Sequence, residues 1–121
     1  MRILLLALFI FMIITSLYSC NNDSNIIHKL SRQAARWAVA AQQDKSPLIA
    51  ILHANYAAGY LWALKDIATD SDIKRVTGID LNAFENEIVT TQENATKKVI
   101  RSCPSFAPTK TFLTKIAGEG I

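Results

Sequence analysis

Apolar residues recur every three or four positions along most of the chain, which is the period of an α-helix. After an apolar N-terminal segment, this pattern predicts long helices at about 26–43, 47–64 and 81–102, and a short helix at 72–77. No stretch of useful length alternates between apolar and polar residues, as a half-buried strand would. The pattern therefore predicts an all-α fold, in which three main helices and short helical turns form a small antiparallel bundle after an N-terminal signal or anchor helix.

Local signals for helix starts and stops support these bounds. Pro47 is suited to the first position of the second long helix, and Gly78 to the end of the short helix. Asp80 is expected to cap the last long helix, and Pro104 to end it and begin an extended segment. A final short helical turn is expected over residues 112–116.

The start of the chain has the pattern of an export signal. Arg2 supplies a single positive charge, and an unbroken apolar run follows from Ile3 to Ile14. Signal peptides share this order of a charged start, an apolar run and small residues before the cleavage point. The run is short for a membrane span, which needs about 20 apolar residues, although a retained signal anchor stays open. Residues 1–19 are therefore expected to be a signal peptide or a signal anchor.

Leu17, Ser19 and Cys20 resemble the lipobox of bacterial lipoproteins, a resemblance that covers only the start of the chain. It implies that the Cys20 sulfur receives a diacylglycerol, that the preceding segment is removed, and that the new N-terminus is acylated. Residues 20–25 would then form a polar tether between the lipid and a helical domain over 26–121. Simple secretion and a retained anchor are the alternatives. All three put the domain on the far side of a membrane, at the periplasmic or extracellular face of the cell envelope.

Length and charge limit the classes of protein that the chain can represent. Its 121 residues suffice for one domain. Thirteen Lys and Arg against ten Asp and Glu leave a net charge of +3, which is too small to indicate nucleic-acid binding. Two cysteines exclude a disulfide-dense scaffold and a four-cysteine zinc module. The expected partners are the membrane, through a lipid or an anchor, and a protein, but no nucleic acid.

The segment 47–64 carries no formally charged residue. A helix that is apolar all round is either buried in protein or lies in lipid. Polar and aromatic residues lower the hydropathy of this segment, and its small residues suit close packing, so it is expected to be the central helix of the bundle. The alternative is a second membrane span, which would make the chain a two-span integral membrane protein.

His53, Tyr56 and Tyr60 share one face of this apolar helix. One hypothesis is a pocket for a small ligand or a metal ion, lined by these three side chains, with His53 as a ligand or general base. The more ordinary interpretation is a packed core whose polar atoms find partners. No metal site or cofactor is predicted, because the only other histidine is His28 and no HxxxH or HExxH spacing occurs.

Cys103 lies just before Pro104, where the last long helix is expected to end. If Cys20 carries lipid, Cys103 has no partner within the chain and is buried, free or paired with another chain. If Cys20 is not lipidated, a disulfide between the two cysteines would join the N-terminus to the end of the last helix. A disulfide and a free thiol both stay open.

Sequence motifs of catalysis are missing from the chain. It has no Gly-rich phosphate loop, no nucleophile elbow and no dinucleotide fingerprint. The sequence therefore favours a small exported, lipid-anchored, non-enzymatic helical protein, acting as a structural or protein-interaction module at the cell envelope. The alternatives are a ligand-binding or metal-binding domain around His53 and a two-span membrane protein.

Overall fold

The computed structural model describes residues 1–107, and these residues form an all-α structure without β-strands. The helices are α1 (Arg2–Gln43), α2 (Pro47–Ile67), α3 (Asp70–Thr77), α4 (Leu81–Ser102) and a 3₁₀ turn over Pro104–Phe106. The all-α prediction is therefore confirmed. The helical turn expected over 112–116 lies outside the described residues.

The predicted bounds of α2 and α4 agree with the structure at their starts. Pro47 occupies the first turn of α2, after Ser46. The Asp80 side chain caps α4 by accepting a hydrogen bond from the Ala83 N–H at 3.0 Å. After Cys103 the expected extended segment is wrong, because the Phe106 N–H donates to the Cys103 carbonyl at 3.0 Å and closes a 3₁₀ turn.

The start of α1 differs from the prediction. A helix beginning near residue 26 was expected, but α1 runs without a break from Arg2 to Gln43. No proline or glycine lies between residues 2 and 43, and asparagine or aspartate costs a helix only about 0.7 kcal/mol at most. Nothing in the sequence is therefore strong enough to end the helix. Residues 20–25, predicted to be a polar tether, are helical as well.

The α3 helix is held by its own first turn. The Thr69 hydroxyl caps it by accepting a hydrogen bond from the Asp72 N–H at 3.2 Å, and it donates to the Asp72 carboxylate at 2.7 Å. Arg75 also donates to this carboxylate at 2.9 Å. These bonds, the one from Arg75 above all, hold the pKa of Asp72 below its usual value. The turn so fixed delivers Ile73 into the core, where it is fully buried.

The main core cluster joins all four helices, and α2 packs against both α1 and α4. Small residues on the facing sides of α1 and α2 allow the two helix axes to approach closely. A second cluster of alanines, Ala41, Ala50, Ala54 and Ala95, lies near the link between α1 and α2. The buried members of the main cluster are Ile27, Ala34, Ala38, Ala57, Ala58, Leu61, Leu64, Ile73, Leu81 and Ile88.

Side-chain hydrogen bonds fix how the long helices lie against one another. Lys65 donates to Glu85 at 2.7 Å, near the end of α2 and the start of α4. Earlier on α2, the Gln92 amide of α4 donates to the Asn55 carbonyl at 2.7 Å. Near the end of α1, the Gln42 amide donates to the Thr91 hydroxyl at 3.0 Å.

The two glycines of the described helical region are expected to respond oppositely to alanine. Gly78 ends α3 with φ of 75°, so alanine there should lower the free energy of unfolding by about 1–2 kcal/mol. Gly59 lies inside α2, and an added Cβ would meet no atom within 4 Å. Gly59→Ala should therefore raise the free energy of unfolding by about 0.5–1 kcal/mol.

The measurement is urea unfolding of the full chain in a nonionic detergent, followed by circular dichroism at 222 nm. Shifts of the same sign in the two variants would contradict the assigned backbone conformations.

Candidate functional site

The first half of α1 is apolar and has no protein partner. Among residues 1–107, α1 alone is long and apolar enough to cross a membrane, and its most apolar 18-residue window has a mean hydropathy of 2.5 with none of it buried. Large side chains from Ile3 to Leu17 are exposed on every side of the helix. Such a segment suits a bilayer or an export signal. Cys20 lies just beyond it, inside α1.

His53 is bonded to the link between α1 and α2. Its Nδ1 lies 2.5 Å from the Asp44 carboxylate. Because an ionised carboxylate only accepts, a hydrogen bond between them requires the tautomer with a proton on Nδ1. Asp44 itself ends α1, with its N–H donating to the Ala40 carbonyl at 3.0 Å. The pair is about three-quarters buried. It therefore joins the start of α2 to the end of α1.

Trp37 on α1 completes an aromatic cluster with the predicted face of α2. Its ring centroid is 4.9 Å from that of His53 and 5.2 Å from that of Tyr56, the latter in an edge-to-face arrangement. Tyr60 lies partly buried against the main core cluster. The structure thus brings Trp37 and Asp44, which sequence reasoning missed, onto the His53 face. The position of Trp37 in the apolar stripe of α1 could have indicated that it packs against α2. Nothing in the sequence indicated a contact of Asp44 with His53.

The predicted ligand pocket at His53, Tyr56 and Tyr60 stays a hypothesis. One edge of the His53 ring is occupied by Asp44, and the Trp37 ring lies beside it at an interplanar angle of 42°. A groove of about 560 Å³ lies elsewhere, between the end of α1 and α4. Its lining is mostly amide, hydroxyl and basic side chains, including Gln42, Asn94 and Arg101. Among the side chains that the structure describes, no group of three or more His, Cys, Asp or Glu is arranged to hold a metal ion.

Cys103 is a partly exposed free thiol, with its Sγ 3.0 Å from the Ser105 hydroxyl. The Cys20–Cys103 disulfide, the alternative to lipid on Cys20, stays a prediction.

The outer face of α2 is apolar and exposed. We define this face by the exposed residues on the side of α2 away from the core. The large apolar ones among them are 41–64% exposed. No charged side chain interrupts the helix from Pro47 to Leu64. Contiguous exposed apolar surface of this kind marks interaction sites. The members of the outer face, taken between Pro47 and Leu64, are Leu48, Ile49, Leu52, Asn55, Tyr56, Gly59 and Trp62. Asn55 and Tyr56 lie at its edges, where they contact Gln92 of α4 and Trp37 of α1.

Comparisons of the chain with protein-family models, with curated proteins and with solved structures gave no match.

The His53–Asp44 bond is expected to stabilise the junction of α1 and α2. In a double-mutant cycle of Asp44→Ala and His53→Ala, we expect a coupling free energy of about 1 kcal/mol, because the pair is largely shielded from solvent. The exposed pair Glu93 and Lys97, 3.8 Å apart on α4, is the matched control and should give only about 0.3 kcal/mol.

Urea unfolding of the four variants in each cycle measures both couplings. Equal couplings in the two cycles would contradict a stabilising role for the His53 pair.

Proposed function

We propose that the protein is an exported, membrane-anchored, non-enzymatic helical module that acts in protein interactions at the cell envelope. The observation that carries this proposal is the division of α1 into two halves. Its first half is apolar and exposed on every side, and its second half supplies buried residues to the core. One uninterrupted helix therefore connects a segment suited to lipid with a folded domain.

Leaving the first half of α1 in water has a large free-energy cost. Each Leu, Ile or Phe side chain gains about 1.5–3 kcal/mol on leaving water for an apolar environment. Large apolar side chains from Ile3 to Leu17 are more than two-fifths exposed. A bilayer would remove this whole set from water at once, which no contact within residues 1–107 does.

Lipid on Cys20 is the form of anchoring that we favour. Leu17 and Ser19 before Cys20 have the lipobox-like pattern. Acyl chains contribute about 0.8 kcal/mol of membrane affinity for each buried CH₂, so two or three chains retain a small domain at the surface. After processing, α1 would begin at the lipid and continue into the domain. The retained helix is the alternative, and it needs no cleavage.

A single crossing is better supported than two. The α2 helix packs against residues 27–41 of α1, beyond the exposed apolar half. If residues 3–18 lie in the bilayer, α2 stands alongside the part of α1 that has left it. Lys29, Arg32 and Arg36 on this part of α1 also disfavour immersion of the pair.

An antiparallel arrangement of α2 and α4 forms part of the proposal. The Lys65–Glu85 and Asn55–Gln92 hydrogen bonds support it, because the later α2 residue bonds to the earlier α4 residue. The link between α1 and α2 is only three residues long, which suits opposite directions for those helices as well. The bundle axis would then follow α1 away from the membrane.

An interaction role is favoured over catalysis by the outer face of α2. Tyr56 and Trp62 on this face are about half exposed, and aromatic residues of these types are enriched in interfaces. His53, the candidate general base, makes contacts that join α1 to α2.

The anchoring proposal predicts the mass of the chain recovered from membranes. The full-length gene product, expressed in a bacterial host, is expected in the membrane fraction with a mass of residues 20–121 plus a diacylglycerol and an acyl group. Cys20→Ser removes the acceptor sulfur, so the lipid mass should disappear. The matched control, Cys103→Ser, should leave the lipid mass unchanged.

Intact-mass spectrometry of the washed membrane fraction distinguishes the outcomes. If the membrane-bound chain has its unprocessed mass, lipid anchoring is wrong and α1 is retained as the anchor. Recovery of the bare chain in the soluble fraction would contradict membrane anchoring altogether.

A further inference from the structure

The outer face of α2 departs from what a surface helix of a soluble domain requires. Such a helix carries its charged residues on the side that faces water. In α2 the buried side is built mainly of alanines, and the exposed side carries Leu48, Leu52 and Trp62. Leu48 and Leu52 thus lie outside, and the Trp62 ring is contacted by the Lys65 ammonium, 4.6 Å from its centroid. This pattern is typical of a helix with a second apolar contact.

We propose that the outer face of α2 binds the same face of a second copy of this chain, forming a dimer about a two-fold axis along the membrane normal. This inference rests on the proposed anchoring, because a shared membrane orients all copies alike. Two upright copies then present their α2 helices side by side and in the same direction. Confinement to one membrane also raises the effective concentration of each copy for the other.

The low charge of this face selects its partner. The Lys65 ammonium, 4.6 Å from the centroid of the Trp62 ring, is already paired with Glu85 at 2.7 Å. A partner carrying charged groups would lose their hydration against Leu48 and Leu52 without gaining an opposite charge in return. A second copy presents the same largely apolar surface. A contact about a two-fold axis is self-complementary. If one residue of the first copy contacts a second residue of the other copy, the reverse contact is made as well.

The spacing of the outer face suits parallel packing of two helices. Leu48, Leu52, Asn55, Gly59 and Trp62 follow one another at intervals of four, three, four and three residues, the repeat of a two-helix seam. The next position of this repeat is the exposed Asp66, so the uncharged part of the seam ends at Trp62. The space around Gly59 is open, because an added Cβ would meet no atom within 4 Å. A neighbouring helix can therefore approach the backbone of α2 at this point.

Asn55 adds a means of setting the register. Its carbonyl oxygen accepts the bond from Gln92, and its two amide N–H donors take no part in that bond. A single asparagine in a helix seam specifies alignment through pairing with its copy. The two copies of Asn55 in a pair of parallel α2 helices would meet near the two-fold axis.

The size of the contact fits a membrane-assisted dimer. The five large apolar side chains of this face, each 41–64% exposed, together offer on the order of 500 Å² per copy. Stable soluble complexes bury about 800 Å² per partner. The contact is therefore smaller than those of stable complexes in solution. Confinement to a shared membrane compensates by raising the effective concentration of the copies.

Cysteine cross-linking of the full chain in membrane vesicles tests the dimer. Gly59→Cys, in a Cys103→Ser background, is expected to give a disulfide-linked species of twice the chain mass after mild oxidation. Lys98→Cys in the same background is the matched control, since it is exposed on α4 away from this face, and it should stay monomeric. The Cys103→Ser chain without an introduced cysteine measures any cross-linking through Cys20.

A second substitution tests the apolar nature of the contact. Leu52→Glu, added to Gly59→Cys, is expected to reduce the cross-linked fraction about tenfold, because dimerisation would bury an unpaired carboxylate. Val39→Glu is its control, since Val39 is similarly exposed on α1 and lies outside the face, and cross-linking should persist. Unchanged circular dichroism verifies that both variants are folded.

The outcomes separate the dimer from the anchor. A membrane-bound Gly59→Cys chain whose introduced thiol reacts with maleimide but does not cross-link would overturn the dimer and leave the anchoring proposal standing. A doubled mass in the soluble fraction would support the α2 contact and contradict the anchor. Cross-linking of the introduced thiol to a species of any other mass would contradict the dimer and identify a different protein as the partner of this face.

Discussion

The structure depends on the continuity of α1. Its 42 residues contain no proline or glycine, so the helix that leaves the apolar N-terminal segment is the same helix that carries the core. Any tilt of one half is transmitted to the other, because no hinge separates them. In a chain that retains the first half, the domain is consequently oriented by whatever holds it, and in a chain processed at Cys20 the lipid would hold the same helix at its new start. A break near residue 20 would leave the core contacts intact and remove this control of orientation.

The second half of α1 then decides how α2 lies. Ala34, Ala38 and Ala41 present a narrow surface that admits the alanine-rich side of α2 at short range. The His53–Asp44 bond and the Trp37 ring hold the start of α2 against the end of α1, which limits rotation of α2 about its own axis. With this rotation restricted, Leu48 and Leu52 remain on the outside. The contacts at the junction therefore maintain the direction of the outer face.

Local sequence signals predicted much of the fold, but they did not predict how the helices face one another. Pro47, Gly78 and Asp80 are short-range determinants, so the bounds that they define agree with the structure. The start of α1 was misjudged because asparagine and aspartate weaken a helix without stopping it. The partnership of Trp37 with His53 depends on packing between two helices, which periodicity within either helix does not reveal. Since α2 is apolar all round, periodicity also gave no indication of its inward side.

The choice of the inward side of α2 follows from side-chain size. Burying the alanines of α2 lets α1 and α4 approach it closely, whereas turning Leu48 and Trp62 inward would force the helices apart. Close packing of small residues gains dispersion contacts along the whole length of the helices, although it leaves larger apolar groups in water. The same geometry that makes the interior compact therefore creates an exposed apolar surface. In a membrane-anchored chain, that surface is held at a fixed height and direction, which is the condition under which a modest apolar patch can find a partner repeatedly.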